Sequence, residues 1–109
     1  MPERSTDVIQ GTLDMLILKA LSLAPMHGFG VARRIEQVSR GVFRVNPGSL
    51  LLAFQRLERR GFIGGEWRLS DHNRRARFYR LTARGRRQLE AAQRDWSDRV
   101  AAIARLLEA

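Results

Sequence analysis

Residues 46–61, NPGSLLLAFQRLERRG, constrain the fold more than any other stretch, because they predict one helix with two unlike faces. Asn46 and Pro47 suit its first turn, since asparagine caps free N–H groups and proline has its φ preset. Gly61 suits its end, where a positive φ is favoured. At 100° per residue, the core-facing stripe is Leu50, Ala53, Phe54 and Leu57. The outer face collects Leu51, Leu52, Gln55, Arg56 and Arg59.

This outer face fits two interpretations. A helix laid in a DNA major groove needs side chains such as Arg56, which reaches guanine edges or phosphates, and Gln55, which reaches adenine. An amphipathic helix on the surface of any globular protein shows the same pattern. The helix alone does not separate the two, but its neighbours in the sequence favour the first.

The segments before it complete a helix-turn-helix order. Apolar residues recur at helical spacing over residues 12–23, with Thr12 as the predicted N-cap, and again over about residues 29–39. Between them, residues 24–28 predict a turn, because Pro25 stops a helix. Helix, turn, helix, connector and helix is the order of a DNA-binding helix-turn-helix unit.

After Gly61 the apolar residues recur at every second position rather than at helical spacing. Residues 63–69 alternate, residues 70–73 have turn composition, and residues 77–81 alternate again. The pattern predicts a β-hairpin with its tip at about residues 71–76, which is a wing when it follows a third helix. Arg74 and Arg75 lie at this tip, where uncompensated arginines repel each other unless phosphates neutralise them. A solvated charged face is the alternative.

Composition points the same way. The net charge is +9, and Lys19 is the only lysine among twenty basic residues. Such a chain favours an acidic polymer as partner, with nucleic acid ahead of an anionic membrane. The lack of cysteine excludes disulfides and thiolate chemistry. The longest uncharged run, residues 20–32, is too short for a bilayer and the N-terminus has no signal-peptide core, so we expect a cytoplasmic protein.

The C-terminus predicts one long helix that needs a partner. Thr82 suits its N-cap, and at 1.5 Å per residue the helix is about 40 Å long, more than a small winged body covers. One face carries the apolar residues Leu89, Ala92, Trp96, Val100, Ile103 and Leu107. This stripe packs either on the chain's own first helix or on the same helix of a second chain. The two contacts combined predict a two-fold dimer interface formed by the first and last helices.

The sequence shows no catalytic or metal site. His27 and His72 are the only histidines, and neither has carboxylates at ligand spacing. No serine stands in a nucleophile–base arrangement, and neither pair of glycines resembles a phosphate-binding loop. His27 is therefore predicted to be a turn histidine that bonds a backbone carbonyl. We expect no enzyme activity, no metal and no cofactor.

Four segments, GTLDMLILKAL, HGFGVARRIE, GSLLLAFQRLERRGFI and NRRARFYRLTARGRRQL, together resemble the PadR family of bacterial transcriptional regulators. The resemblance spans about residues 11–107, and the single C-terminal helix is similar to the short subfamily. It implies a winged-helix dimer that binds operator DNA, usually as a repressor, with the third helix in the major groove. By position it places Ser49, Gln55, Arg56 and Arg59 on the reading helix and Asn73, Arg74 and Arg75 on the wing.

The chain departs from this family where Gly-Ser-Leu-Tyr-Pro is common, because Leu51 and Leu52 replace the last two residues. Exposed leucines are costly, so these pack on thymine methyl groups or against the wing, or the chain binds DNA weakly. Trp96 also has two interpretations. It fills the dimer core, or with its symmetry mate it lines a slot for a planar aromatic effector, a use known in this family.

Together these observations predict a mainly α-helical chain with a small β-hairpin. Residues 1–10 form a flexible lead-in, residues 11–81 a winged helix-turn-helix domain and residues 82–109 a dimerisation helix. The predicted function is that of a homodimeric, sequence-specific regulator that binds double-stranded operator DNA, a repressor released by a small-molecule effector. The alternative is a winged-helix dimer that binds other proteins through its leucine-bearing third helix.

Overall fold

The computed structural model describes residues 10–69 and 71–109. The helices and strands, in chain order, are α1 Gln10–Leu23, β1 Met26–His27, α2 Gly28–Val38, α3 Pro47–Arg59, β2 Ile63–Leu69, β3 Arg75–Leu81 and α4 Ala83–Glu108. The predicted mainly α-helical winged fold is confirmed. Of the predicted lead-in, residues 1–9 lie outside the described part, and Gln10 already belongs to α1, ahead of the predicted N-cap Thr12.

One hydrophobic core joins the three shorter helices to the sheet. Ile17 and Leu18 of α1 are fully buried within it, and Val31 of α2 belongs to the same cluster. The Phe54 ring of α3 stacks on the Tyr79 ring of β3, with ring centroids 4.2 Å apart and an interplanar angle of 16°. The stacked Phe54 ring lies on the buried side of α3.

The wing is an antiparallel hairpin of β2 and β3, paired from Ile63 opposite Leu81 to Leu69 opposite Arg75. The hairpin itself was predicted from the period of two. Its tip is shorter than predicted, because Arg75 and Ala76 already belong to β3. The pairing of Leu69 with Arg75 extends the ladder by two residues at this end of β3.

The sheet has a third strand that the sequence did not predict. β1 pairs with β3 through Met26 opposite Tyr79 and His27 opposite Phe78. The prediction of a plain turn over residues 24–28 was wrong, because residues 26 and 27 form this strand. A strand of two residues is too short to show a period of two in the sequence. His27 also differs from its prediction, because its Nδ1 accepts the Gly30 N–H at 3.1 Å and so caps α2.

The start of α4 is attached to the segment that follows α3. Thr82 is the N-cap, as predicted: its Oγ1 accepts the Gly85 N–H at 2.9 Å and lies 2.7 Å from the Gly61 carbonyl oxygen, to which it donates. Gly85 packs so closely on the Phe62 carbonyl that a β-carbon built on it would lie 1.9 Å from the oxygen. A glycine is required here because α4 and the chain entering β2 touch backbone to backbone.

Gly85→Ala tests this contact. We expect the variant to lose about 1–3 kcal/mol of unfolding free energy, because the added methyl group must displace backbone atoms. Gly11→Ala is the matched control, since a β-carbon there meets no neighbouring described group within 4 Å and alanine favours a helix. Urea denaturation measures both, and a wild-type midpoint for Gly85→Ala contradicts the packing.

Candidate nucleic-acid interface

The outer face of α3 follows from its cap and its buried stripe. Asn46 Oδ1 accepts two N–H groups of the first turn, at 2.8 and 3.2 Å, as expected of an N-cap. The predicted core stripe is buried throughout: Leu50, Ala53, Phe54 and Leu57. On the opposite side Leu52, Gln55 and Arg59 are exposed, and we call these three residues the outer strip.

Arg56 was predicted to face outward and read bases, and its predicted orientation is wrong. Its Nη2 donates to Asp14 Oδ1 at 2.6 Å and its Nε to Asp14 Oδ2 at 3.2 Å. The side chains of Arg56 and Asp14 are only 19% and 18% exposed. The hydrogen bond to Asp14 raises the pKa of Arg56, so the guanidinium stays charged. Position 56 lies roughly 110° from the centre of the buried stripe, on the flank of α3, so its long side chain turns back to α1.

The two leucines in place of Tyr-Pro have different surroundings. Leu51 lines a groove of about 580 Å³ between α3, the start of α2 and the wing, together with Phe29 and Trp67. Leu52 belongs to the outer strip and is 60% exposed. Leu51 therefore turns towards the wing, whereas Leu52 faces away from the protein. Ser49, assigned to the reading helix, is half-buried at its first turn.

The three residues assigned to the wing all lie at its surface. Asn73 has a positive φ of 64°, which asparagine tolerates better than most residues, and Arg74 follows it in the turn. Arg75 opens β3, with its guanidinium carbon 4.9 Å from the centroid of the Trp67 ring. This cation–π contact holds the Arg75 side chain along the wing while leaving it exposed.

A further wing arginine has a partner that sequence reasoning missed. Arg77 Nη2 lies 2.5 Å from Glu58 Oε2. Glu58 is on the flank of α3 that faces away from Arg56. Gly65 leaves room for this side chain, since a β-carbon there would come within 2.7 Å of Arg77 Nε. Burial, reinforced by the Glu58 carboxylate, raises the pKa of the nearby Tyr79 hydroxyl. The ion pair attaches the wing to α3.

The apolar stripe of α4 is buried only where the helix begins. Leu89 was predicted to lie in a dimer interface, but its side chain belongs to the core of its own chain, where it is no longer available to a partner. Exposure then increases along Ala92, Trp96, Val100, Ile103 and Leu107. Trp96 also forms one wall of a cavity of about 380 Å³ between α1 and α4, with Thr12, Met15 and Arg99.

The described residues hold no cluster of three or more His, Asp or Glu side chains that a metal ion could bind. Their helices also lack the length and apolar character needed to cross a membrane. The outer strip, Arg74 and Arg75 of the wing, and the stripe of α4 are the surface features from which we infer function.

Comparison with known proteins agrees with this architecture. The model of the transcriptional regulator PadR-like family matches residues 17–91. A transcriptional regulator from Clostridium thermocellum has a TM-score of 0.83 and 25% identity, over 91% of this chain and 96% of that one. A PadR-like transcriptional regulator from Bacillus cereus has a TM-score of 0.80 and 21% identity, over 94% of this chain and 98% of that one.

Sequence relatives are similar over most of the chain. An uncharacterized protein of Lysinibacillus sphaericus is 28% identical over 94 residues, 85% of each chain. An uncharacterized 37.1 kDa protein in transposon TN4556 of Streptomyces fradiae is 41% identical over 76 residues, 70% of this chain and 20% of that protein. The chain thus spans about one-fifth of the second relative. With a family model that covers most of its length and a winged fold shared with solved regulators, this chain belongs to the PadR-like family of transcriptional regulators, which bind DNA and are not enzymes.

Proposed function

We propose that this chain acts as a homodimeric repressor that binds a two-part operator in double-stranded DNA. The observation that carries the proposal is the outer strip, which stands exposed on a helix whose opposite side is buried in the core. Such a helix fits the major groove, where each base pair presents its own pattern of donors, acceptors and methyl groups.

The exposed side chains suit different contacts. Gln55 is the candidate for base readout, because its amide matches the N6 and N7 edge of adenine. Leu52 offers an apolar surface to thymine methyl groups. Arg59 on α3, with Arg74 and Arg75 on the wing, would neutralise phosphates and so position the protein on the duplex without reading its sequence.

The uncovered part of α4 is the proposed dimer contact. The helix has 26 residues, about 39 Å, and its stripe is exposed from Trp96 to Leu107. An apolar stripe of this length is unfavourable in water, and the same stripe of a second chain covers it around a two-fold axis. Two α3 helices then face half-sites about 34–36 Å apart, one turn of DNA, and occupancy of such a site excludes polymerase.

Arg75→Ala tests the phosphate contact of the wing. We expect weaker binding to every DNA sequence and a salt slope shallower by about 0.9 per protomer, because fewer counterions are released. Arg105→Ala is the matched control, since it removes the same charge from an exposed position in the last turn of α4. Fluorescence anisotropy over a salt series gives the slopes. If Arg75→Ala keeps the wild-type slope, the contact does not exist.

Binding to the protein's own promoter fragment, beside a scrambled fragment of equal length, tests the proposed function. We expect the promoter to bind at least about 10³-fold more tightly, the low end for specific recognition, and run-off transcription from it to fall. Gln55→Ala and Leu52→Ala should lose promoter affinity and keep their affinity for scrambled DNA. Equal affinity of the wild type for both fragments contradicts the proposal. If the wild type binds neither DNA fragment but keeps a protein partner bound at high salt, the result supports the protein-binding alternative.

The cavity beside Trp96 is the proposed effector site. It lies between α1 and α4, so a planar aromatic compound bound there touches both helices of the proposed dimer interface. Such compounds should quench tryptophan fluorescence in the wild type and in Trp67→Phe, and Trp96→Phe should abolish the quenching. Quenching that disappears in Trp67→Phe and persists in Trp96→Phe places the ligand elsewhere.

A further inference from the structure

Asp14 and Arg56 connect α3, the proposed DNA-facing helix, directly to α1. Asp14 belongs to α1, and Arg56 to α3, 42 positions later. Hydrogen bonds of 2.6 and 3.2 Å join both carboxylate oxygens to two nitrogens of one guanidinium. A bidentate pair fixes an angle as well as a distance, which a lysine ammonium does not.

The helix α1 packs against α4, and we call these two helices the dimer layer. A second connection lies five residues after Arg56, just beyond the C-terminus of α3, where the Thr82 hydroxyl of the cap of α4 is 2.7 Å from the Gly61 carbonyl oxygen. The helix α3 is therefore attached to the dimer layer just beyond its C-terminus and also within its last turn, through Arg56. Apolar burial already holds α3 on the core, and two points of attachment restrict the remaining tilt of its C-terminal end more than one point does.

The other flank of α3 carries a pair with a different neighbour. Glu58 bonds Arg77 of β3, and these side chains are more exposed than Asp14 and Arg56. The Glu58–Arg77 pair joins α3 to the wing, which carries Arg75 of the proposed DNA-binding surface. The Asp14–Arg56 pair joins α3 to the dimer layer, which sets where the second protomer lies.

We propose that Asp14 and Arg56 form a positioning pair that sets the direction of α3 relative to the dimer layer and so restricts the spacing of the operator half-sites. The inference rests on the proposed function. Two-fold symmetry makes the spacing sensitive to this pair, because a shift of one outer strip is repeated in the other protomer. A shift of about 1.7 Å in each protomer changes their separation by about 3.4 Å, the rise of one base pair.

The experiment compares operators that differ in half-site spacing. Binding is measured on the mapped operator, on versions one base pair longer or shorter between the half-sites, and on an isolated half-site. Arg56→Lys keeps the charge and removes the bidentate geometry, and Asp14→Arg with Arg56→Asp exchanges the partners. Arg68→Lys is the control, because its pair with Glu66 lies within one strand and cannot turn α3.

We expect the wild type and Arg68→Lys to lose about tenfold or more in affinity when one base pair is added or removed, since the contacts of one half-site are displaced. For the same change of spacing, the affinity of Arg56→Lys should fall by less than about threefold. Its affinity for the isolated half-site should stay equal to that of the wild type. The exchanged pair should recover part of the spacing preference, which a variant that merely lost stability would not do.

Unchanged spacing preference in Arg56→Lys overturns the inference. A shallower salt slope in Arg56→Gln also overturns it, because that result places the Arg56 guanidinium on a phosphate rather than on Asp14. The two proposals fail in different ways. A wild-type protein that binds promoter and scrambled DNA equally contradicts the proposed function before any variant is compared.

Discussion

The burial of one side of α3 is the constraint on which the rest of the molecule depends. Leu50 and Leu57 enter the core beside Phe54, whose ring stacks on Tyr79. Burial of one such side chain contributes roughly 1.5–3 kcal/mol, whereas a surface ion pair contributes about 0–1 kcal/mol. The apolar stripe therefore decides which side of the helix is inside, and the outer strip is presented to a partner as its direct consequence.

Ion pairs refine a placement that apolar burial has already made. The hydrophobic effect has no direction, so it tolerates a small tilt of α3 that hydrogen-bonded charges do not. Arg56 meets α1 on one flank, and Glu58 meets the wing on the other. The arginines of α3 and the wing consequently include two with different roles from the rest. Arg56 and Arg77 hold the protein together, while Arg59 and the wing tip remain exposed.

Features that follow the helical or strand periodicity of apolar residues were predictable from the sequence. Helical spacing predicted the buried stripe of α3, because burial follows the geometry of a helix. Alternation predicted the hairpin but not its burial, since residues 66–69 of β2 are all exposed. Contacts between distant residues were not predictable. β1 exists through its pairing with β3, and Leu89 is buried in the protomer's own core. The helical projection used for α3 shows only the residues of that helix. It could therefore not pair Arg56 with Asp14, which lies 42 positions earlier in the chain.

The distance between the two outer strips in the free protein tests the account most directly. The chain has no cysteine, so Arg59→Cys provides one spin-label site per protomer. Electron–electron double resonance should give one distance centred at about 35 Å, the separation of successive major grooves on one face of DNA. Absence of dipolar coupling, or a distance below about 25 Å, would contradict the account, because the two helices could not then occupy both half-sites.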